Sequence, residues 1–330
     1  MVDQNKFVLF GLGIGSTLVA EGLIWLYWRY WGAGSLQDYI LEDEEPDGEY
    51  RVIKKMKNPV QKIALVEYDG IFSVFANGSE MFNTSEGEDK YAEALIHLPM
   101  AVAQKRERVL IIGSGGGSST REVLRYPEVN EITAVDIDST IMDLGKNFEP
   151  FVMFNKGSLN NPKVRTVIED GRIFLENSLE KWDVIIIDLP EPTGTCPELA
   201  RLFSVEFYNL LNKHLEPGGI LNVACSVSSE MPSYFWAVQD TIKAAGFYTL
   251  PYHFDFIVEW GQDWGFCVAA TKPICTSDVQ IKVSTRYLNE ERLQDMLRIP
   301  YYLLGEWDSK NVQTDHNSLL VDVVEESWES

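Results

Sequence analysis

Basic residues and cysteines are both scarce in this 330-residue chain. Lys and Arg number 28 against 50 Asp and Glu, for a formal charge of −22. That balance excludes a nucleic-acid partner, whose phosphates require a basic surface. It suits a polycation, which an acidic surface attracts by long-range steering, and equally the ordinary role of an acidic surface in keeping a protein soluble. The four cysteines, Cys196, Cys225, Cys267 and Cys275, show neither CxxC spacing nor the density of a disulfide scaffold. They read as free thiols in a reducing compartment. The four histidines, His97, His214, His253 and His316, lack HxxxH or HxH spacing, so no metal is implied. No internal repeat or low-complexity tract is present. Hydrophobic residues make up 45% of the chain and charged residues 24%, the composition of a folded protein.

The most informative stretch is the apolar run Val109–Ile112 followed by Gly113-Ser-Gly-Gly-Gly-Ser118. A buried strand that empties into glycines and then a helix lets backbone N–H groups approach a ligand closely. Asp136 closes the next apolar run, where an acid accepts both hydroxyls of a ribose. Further on, Val164–Ile168 ends in Glu169-Asp170-Gly171, and Trp182-Asp-Val-Ile-Ile-Ile-Asp188 continues into Leu-Pro-Glu191-Pro. Ligands of open α/β sheets bind outside the carboxyl ends of the strands, so Gly113, Asp136, Asp170 and Asp188 converge on one crevice. A single Asp after a strand is more often a helix cap or turn residue. Four sites at consecutive strand ends favour a nucleoside-binding pocket.

Between Asn58 and Leu304 the chain resembles the spermidine synthase family, the polyamine aminopropyltransferases. Asn58-Pro-Val-Gln61-Lys-Ile is similar to the family segment whose Gln touches the cofactor. Thr84 and Tyr91-Ala-Glu93-Ala-Leu-Ile-His97-Leu-Pro99 resemble its T…YHE…H-x-P stretch. Val109-Leu-Ile-Ile-Gly-Ser-Gly with Arg121-Glu-Val-Leu124 resembles VLIIGGGDGG…REVL. Val135-Asp136-Ile-Asp138 stands for VEID, Glu169-Asp170-Gly171 for GDG, and Asp188-Leu-Pro-Glu191-Pro for DSSDP. Trp264-Gly-Phe266 and Thr285-Arg-Tyr-Leu-Asn289 resemble the closing motifs. Three positions depart: the His of YHE is Ala92, the Asp of GGGDGG is Gly116, and the second Asp of DSSDP is Glu191. In the family these positions hold the amino groups of decarboxylated S-adenosylmethionine and of the polyamine.

The resemblance implies a doubly wound, Rossmann-like α/β domain of the class I methyltransferase type. It implies transfer of an aminopropyl group from decarboxylated S-adenosylmethionine to a polyamine-type amine, releasing methylthioadenosine. Asp188 is then the general base, with Tyr91 and Glu191 orienting the amine and Trp264 beside it. Asp136 holds the ribose, Asp170 the adenine amino group, and Gln61 the sugar or sulfur end, over the Gly113–Gly115 loop and Gly171. Because of Gly116 and Ala92, two alternatives stay open. One is an enzyme using S-adenosylmethionine itself for methyl or alkyl transfer; the other is a catalytically silent nucleoside-binding membrane protein.

Phe7–Trp28 is apolar apart from Gly, Ser16, Thr17 and Glu21, and about 20 such residues span a bilayer. Trp25, Tyr27, Trp28, Tyr30 and Trp31 gather at its end as in an interfacial belt, followed by basic residues that favour a cytoplasmic carboxyl side. The expectation is a single-pass membrane anchor over residues 1–31 with a cytoplasmic catalytic domain. Gly13, Thr17 and Glu21 share a helix face with the Gly11-x-x-x-Gly15 spacing, which suits a partner transmembrane helix or a homo-oligomer. The bland reading of Glu21 is snorkelling to the interface. An acidic linker (32–50) follows, then a small β subdomain (51–104) with a hairpin at Tyr68-Asp69-Gly70, the Rossmann-like domain (105–276) and a carboxyl-terminal extension (277–330).

Overall fold

The computed structural model describes residues 39–41, 46, 48–257, 262–276, 279–304 and 312–329. Among them no helix is long and apolar enough to cross a membrane. The expected anchor Phe7–Trp28 lies outside the described residues, as does most of the acidic linker.

The chain divides into two compact units, Met1–Phe82 and Asn83–Ser330. The first carries a four-stranded sheet in sequential order, β1 (Arg51–Lys57), β2 (Lys62–Tyr68), β3 (Ile71–Ala76) and β4 (Ser79–Asn83). Its hairpin turns at Asp69 (φ 48°) and Gly70 (φ 79°), with Tyr68 paired to Ile71. Two consecutive positive φ angles match the right-handed strand twist, which is why Asp-Gly occupies this turn. Alternate strand residues Ala64, Val66 and Phe75 bury a small core with Tyr39 and Ile40.

The second unit opens with α1 (Glu86–Val102), a stretch the sequence reading groups with the β subdomain. There follow β5 (Arg108–Ile112), α2 (Ser118–Val123), β6 (Glu131–Asp136), α3 (Ser139–Asn147), α4 (Glu149–Phe154), β7 (Val164–Ile168), α5 (Gly171–Asn177) and β8 (Trp182–Ile187). The remaining elements are α6 (Val205–His214), β9 (Leu215–Val227), α7 (Pro232–Ala244), β10 (Tyr248–Ile257), β11 (Gln262–Ala270), α8 (Glu290–Met296) and α9 (Leu319–Glu329). The seven strands lie in the order β10-β11-β9-β8-β5-β6-β7. Strands β5 to β9 pair in parallel, and β11 is antiparallel to both its neighbours.

Both faces of this sheet are covered, as a continuous apolar strand requires. Leu110, Ile112, Ile185 and Ile187 point into one core layer, while Val109, Ile111, Val184 and Ile186 point into the other. From β5 the chain proceeds outward through β6 and β7, then returns to lay β8 on β5's other side. That reversal leaves a crevice at the carboxyl ends of β5 and β8.

Candidate active site

Three backbone hydrogen bonds hold the strand ends in register. Gly113 N–H donates to Val135 O (2.9 Å), Asp188 N–H to Ile112 O (2.9 Å) and Glu169 N–H to Asp136 O (3.1 Å). Gly113 sits at φ +93°, and a Cβ there would lie 1.8 Å from the Asp188 carbonyl oxygen, so a side chain is excluded. A Cβ at Gly115 would meet Ile141 Cγ2 at 2.2 Å and Asp136 Oδ2 at 2.7 Å. The loop is therefore pressed onto the acid after β6. Asp136 accepts from Gly115 N–H through Oδ2 and from Asp138 N–H through Oδ1, both at 2.9 Å. Burial raises its pKa to about 6; the Asp138 and Asp188 charges add to this and the two N–H donors oppose it. Each oxygen keeps lone pairs, so the carboxylate can still accept from the hydroxyls of a ribose. Gly116 is outside the left-handed region that its neighbour Gly117 occupies, and its carbonyl accepts from Asn155 Nδ2 at 3.0 Å.

Asp188 is gripped from two sides. Tyr91 Oη–H donates to Oδ1 and Ser119 Oγ–H to Oδ2, each at 2.7 Å. Burial raises the carboxyl's pKa, and the two hydroxyl donors oppose that rise. Tyr91 is held well above the ordinary tyrosine value by burial, then by Asp188, Glu88 and Glu191, so it stays a neutral donor. Its ring packs edge-on against Trp264, with centroids 5.0 Å apart. Glu191 is raised in pKa by burial, an effect that Ser226 opposes. Tyr91, Asp188, Glu191 and Trp264, all expected at the amine end, thus come together.

Two members of this group were not anticipated. Glu88 is buried one turn before Tyr91, at the i−3 spacing that shares a helix face. That periodicity alone could have found it. Ser119 gives no comparable local signal, because its partner lies 69 residues away.

Asp170 has a partner that local sequence does not reveal. Its Oδ1 caps α5 through Arg172 N–H (2.9 Å) and Ile173 N–H (3.0 Å), while the Arg201 guanidinium pairs with Oδ2. At Gly171 a Cβ would meet Ile112 Cγ2 at 2.5 Å, so glycine lets α5 close onto β5. Gln61 belongs to the first unit, just before β2, where its N–H donates to Asn58 Oδ1 at 2.8 Å.

Glu93, His97 and Glu122 group closely enough to hold a metal ion. Their ligand atoms are engaged otherwise. His97 bridges Tyr126 Oη (2.9 Å) and Glu122 Oε2 (3.1 Å), and Glu122 also accepts from Arg121 Nε and Arg125 Nη1, both at 2.8 Å. Glu93 accepts the backbone N–H groups of Arg286, Tyr287 and Leu288 at 2.7, 2.9 and 3.3 Å. The cluster clasps α1, α2 and the segment before α8 together. Two guanidinium groups supply its positive charge.

Residues 88–279 match the spermine/spermidine synthase domain. A polyamine aminopropyltransferase of Oceanobacillus iheyensis is 30% identical over 286 residues, 84% of this chain and 54% of the relative. Polyamine aminopropyltransferase 2 of Aquifex aeolicus is 30% identical over 286 residues, 86% of this chain and 55% of that protein. The chain thus spans about half the length of the curated relatives it matches. The spermidine synthase of Thermotoga maritima superposes with a TM-score of 0.65 at 23% identity, covering 77% of this chain and 86% of that one. A spermidine synthase in complex with the transition-state analogue AdoDATO gives 0.64 at 23% identity, with the same coverage. These structures share the fold, and by the domain match over residues 88–279 and its 30%-identical relatives the chain belongs to the spermine/spermidine synthase domain family.

Proposed function

We propose that this protein transfers an aminopropyl group from decarboxylated S-adenosylmethionine to a polyamine-type amine and releases methylthioadenosine. The observation that carries the reading is Asp188, a half-buried carboxylate at the switch point of the sheet, oriented by Tyr91 and packed near the glycine loop. An alkylammonium substrate gives one N–H proton to Asp188. The freed nitrogen lone pair then attacks the methylene carbon bonded to the sulfonium, and the C–S bonding pair leaves with sulfur. The protein contributes alignment and a positioned base. Glu191 and Glu88 supply the negative field that a di- or polycation requires. Asp136 serves the ribose and Asp170 the adenine amino group.

Gly116 gives a specific reason to keep S-adenosylmethionine in view as a donor. An acid at 116 would bind the aminopropyl ammonium and repel the carboxylate of the undecarboxylated molecule; glycine does neither. The decisive experiment presents the full chain with each of the two donors and a panel of aliphatic diamines and polyamines, then follows methylthioadenosine and the elongated amine. Release of both from the decarboxylated donor is expected, with modest discrimination against binding of S-adenosylmethionine. Binding of S-adenosylmethionine much tighter than its decarboxylated form, with no elongated amine, would overturn the proposal in favour of methyl or alkyl transfer. We further propose anchoring to a membrane through Phe7–Trp28, with the catalytic unit on the cytoplasmic side, from the length and charge asymmetry of that segment.

A further inference from the structure

We propose that Ser119 is a positioning residue of this reaction, holding Oδ2 of Asp188 from the first turn of α2 while Tyr91 holds Oδ1 from α1. The inference rests on the aminopropyl-transfer reading for its chemistry, and on the hydrogen bonds for its geometry. Ser119 Oγ is 2.7 Å from Asp188 Oδ2, and the residue is buried, so water does not compete for the carboxylate at that point. Its helix is seated by the glycine loop. Gly117, at φ +82°, stands at the amino end of α2, Gly115 N–H is tied to Asp136, and Ser114 Oγ meets Thr120 Oγ1 at 2.6 Å. The loop read as the nucleoside cradle and the hydroxyl that aims the base therefore belong to one rigid piece.

The environment shows why such a donor is needed. Tyr91, the partner of Asp188 on α1, also feels the charges of Glu88 on its own helix and of Glu191 in the loop after β8, and Asp136 at the end of β6 feels that of Asp188 itself. Among the described residues, the charged groups so named, Glu88, Glu191 and Asp136, are all carboxylates. Burial disfavours the ionised base, and the hydroxyls of Ser119 and Tyr91 are what counter it. Both donors also lock the carboxylate plane, leaving one lone pair on each oxygen to receive a proton from the substrate ammonium. Removing the Ser119 hydroxyl weakens the anion against its acid, so the base holds its proton to higher pH.

The test compares Ser119→Ala, Ser119→Thr and the unaltered full chain in two ways. The first is the pH profile of kcat and of kcat/KM for transfer from decarboxylated S-adenosylmethionine to 1,4-diaminobutane. The second is carbon-13 NMR titration of the aspartate carboxyls, with the Asp188 signal identified by its loss in Asp188→Asn. In Ser119→Ala the acid limb of kcat/KM and the Asp188 midpoint should both move up by about one pH unit, a tenfold change in proton affinity. The high-pH plateau of kcat should fall far less than the rate at the acid limb. Ser119→Thr, which keeps the hydroxyl, should bring the midpoint back toward that of the unaltered chain. An unmoved Asp188 midpoint, or a rate loss equal at every pH, would overturn the assignment. If the unaltered chain transfers nothing while the NMR midpoint moves as described, the aminopropyl reading fails and the Ser119–Asp188 link stands.

Discussion

In the proposed mechanism Asp188 must meet two requirements that conflict in water, because a base must be ionised to accept a proton yet basic enough to take one from an ammonium. Burial raises its proton affinity, and two hydroxyl donors keep the anion accessible. Asp188→Asn should lower kcat by roughly 10²–10⁴-fold, the usual contribution of a positioned base, while methylthioadenosine still binds in calorimetry. Activity within a few-fold of the unaltered protein would remove Asp188 from the mechanism. Asp136 carries a separate pH signature. With burial raising its carboxyl to about 6, the ionised form proposed to accept ribose hydroxyls is lost below that point. Methylthioadenosine affinity should therefore fall about tenfold per pH unit below about 6 and level off above it. A flat profile from pH 5 to 7.5 would show that Asp136 does not receive the nucleoside.

At the scale of elements, the Glu93–His97–Glu122 cluster does for the helices what the strand-end hydrogen bonds do for the sheet. Burial alone would raise the Glu122 carboxyl, yet His97 and Arg121 pull it from its ordinary 4.5 down to about 2. Because the folded value lies below the unfolded one, its stabilisation is fully present above pH 4.5 and is lost as pH falls through about 2. Glu122→Gln should cost about 3–5 kcal/mol at pH 7, the range for breaking a buried ion pair by removing one partner. Urea titrations should show that cost shrinking between pH 4.5 and 2. A pH-independent difference would mean that the loss comes from packing alone. Since α1 also carries Tyr91, loosening this clasp should raise KM for the amine before it affects nucleoside binding.

For the whole molecule, the acidic balance and the amino-terminal segment bear on the proposed substrate and the proposed membrane attachment. If the proposed polyamine substrate is right, a formal charge of −22 should attract it, most strongly at low salt. The apolar segment Phe7–Trp28 should carry the full chain into the membrane fraction and resist carbonate extraction. A chain beginning near Gly48 should remain in the supernatant, with a cooperative melt. Full-length protein that is freely soluble without detergent would show that this segment packs against protein instead.

Much of this protein was written locally. The Val109–Ile112 run, the glycines after it and the acids Asp136, Asp170 and Asp188 were legible because buried parallel strands read as unbroken apolar stretches and end where ligands bind. The Asp69-Gly70 hairpin was legible because Asp-Gly is a pair that accepts positive φ at both positions of a type I′ turn. Tertiary structure alone decided which side chains meet across the sheet. It brought Ser119 to Asp188 across 69 residues, Arg201 to Asp170 across 31, and the backbone of Arg286 to Glu93 across 193. Strand and turn chemistry is set by neighbours along the chain and leaves a pattern there. A hydroxyl or guanidinium that finds its acid from a distant element leaves none, because any small donor on that helix face would look the same in sequence.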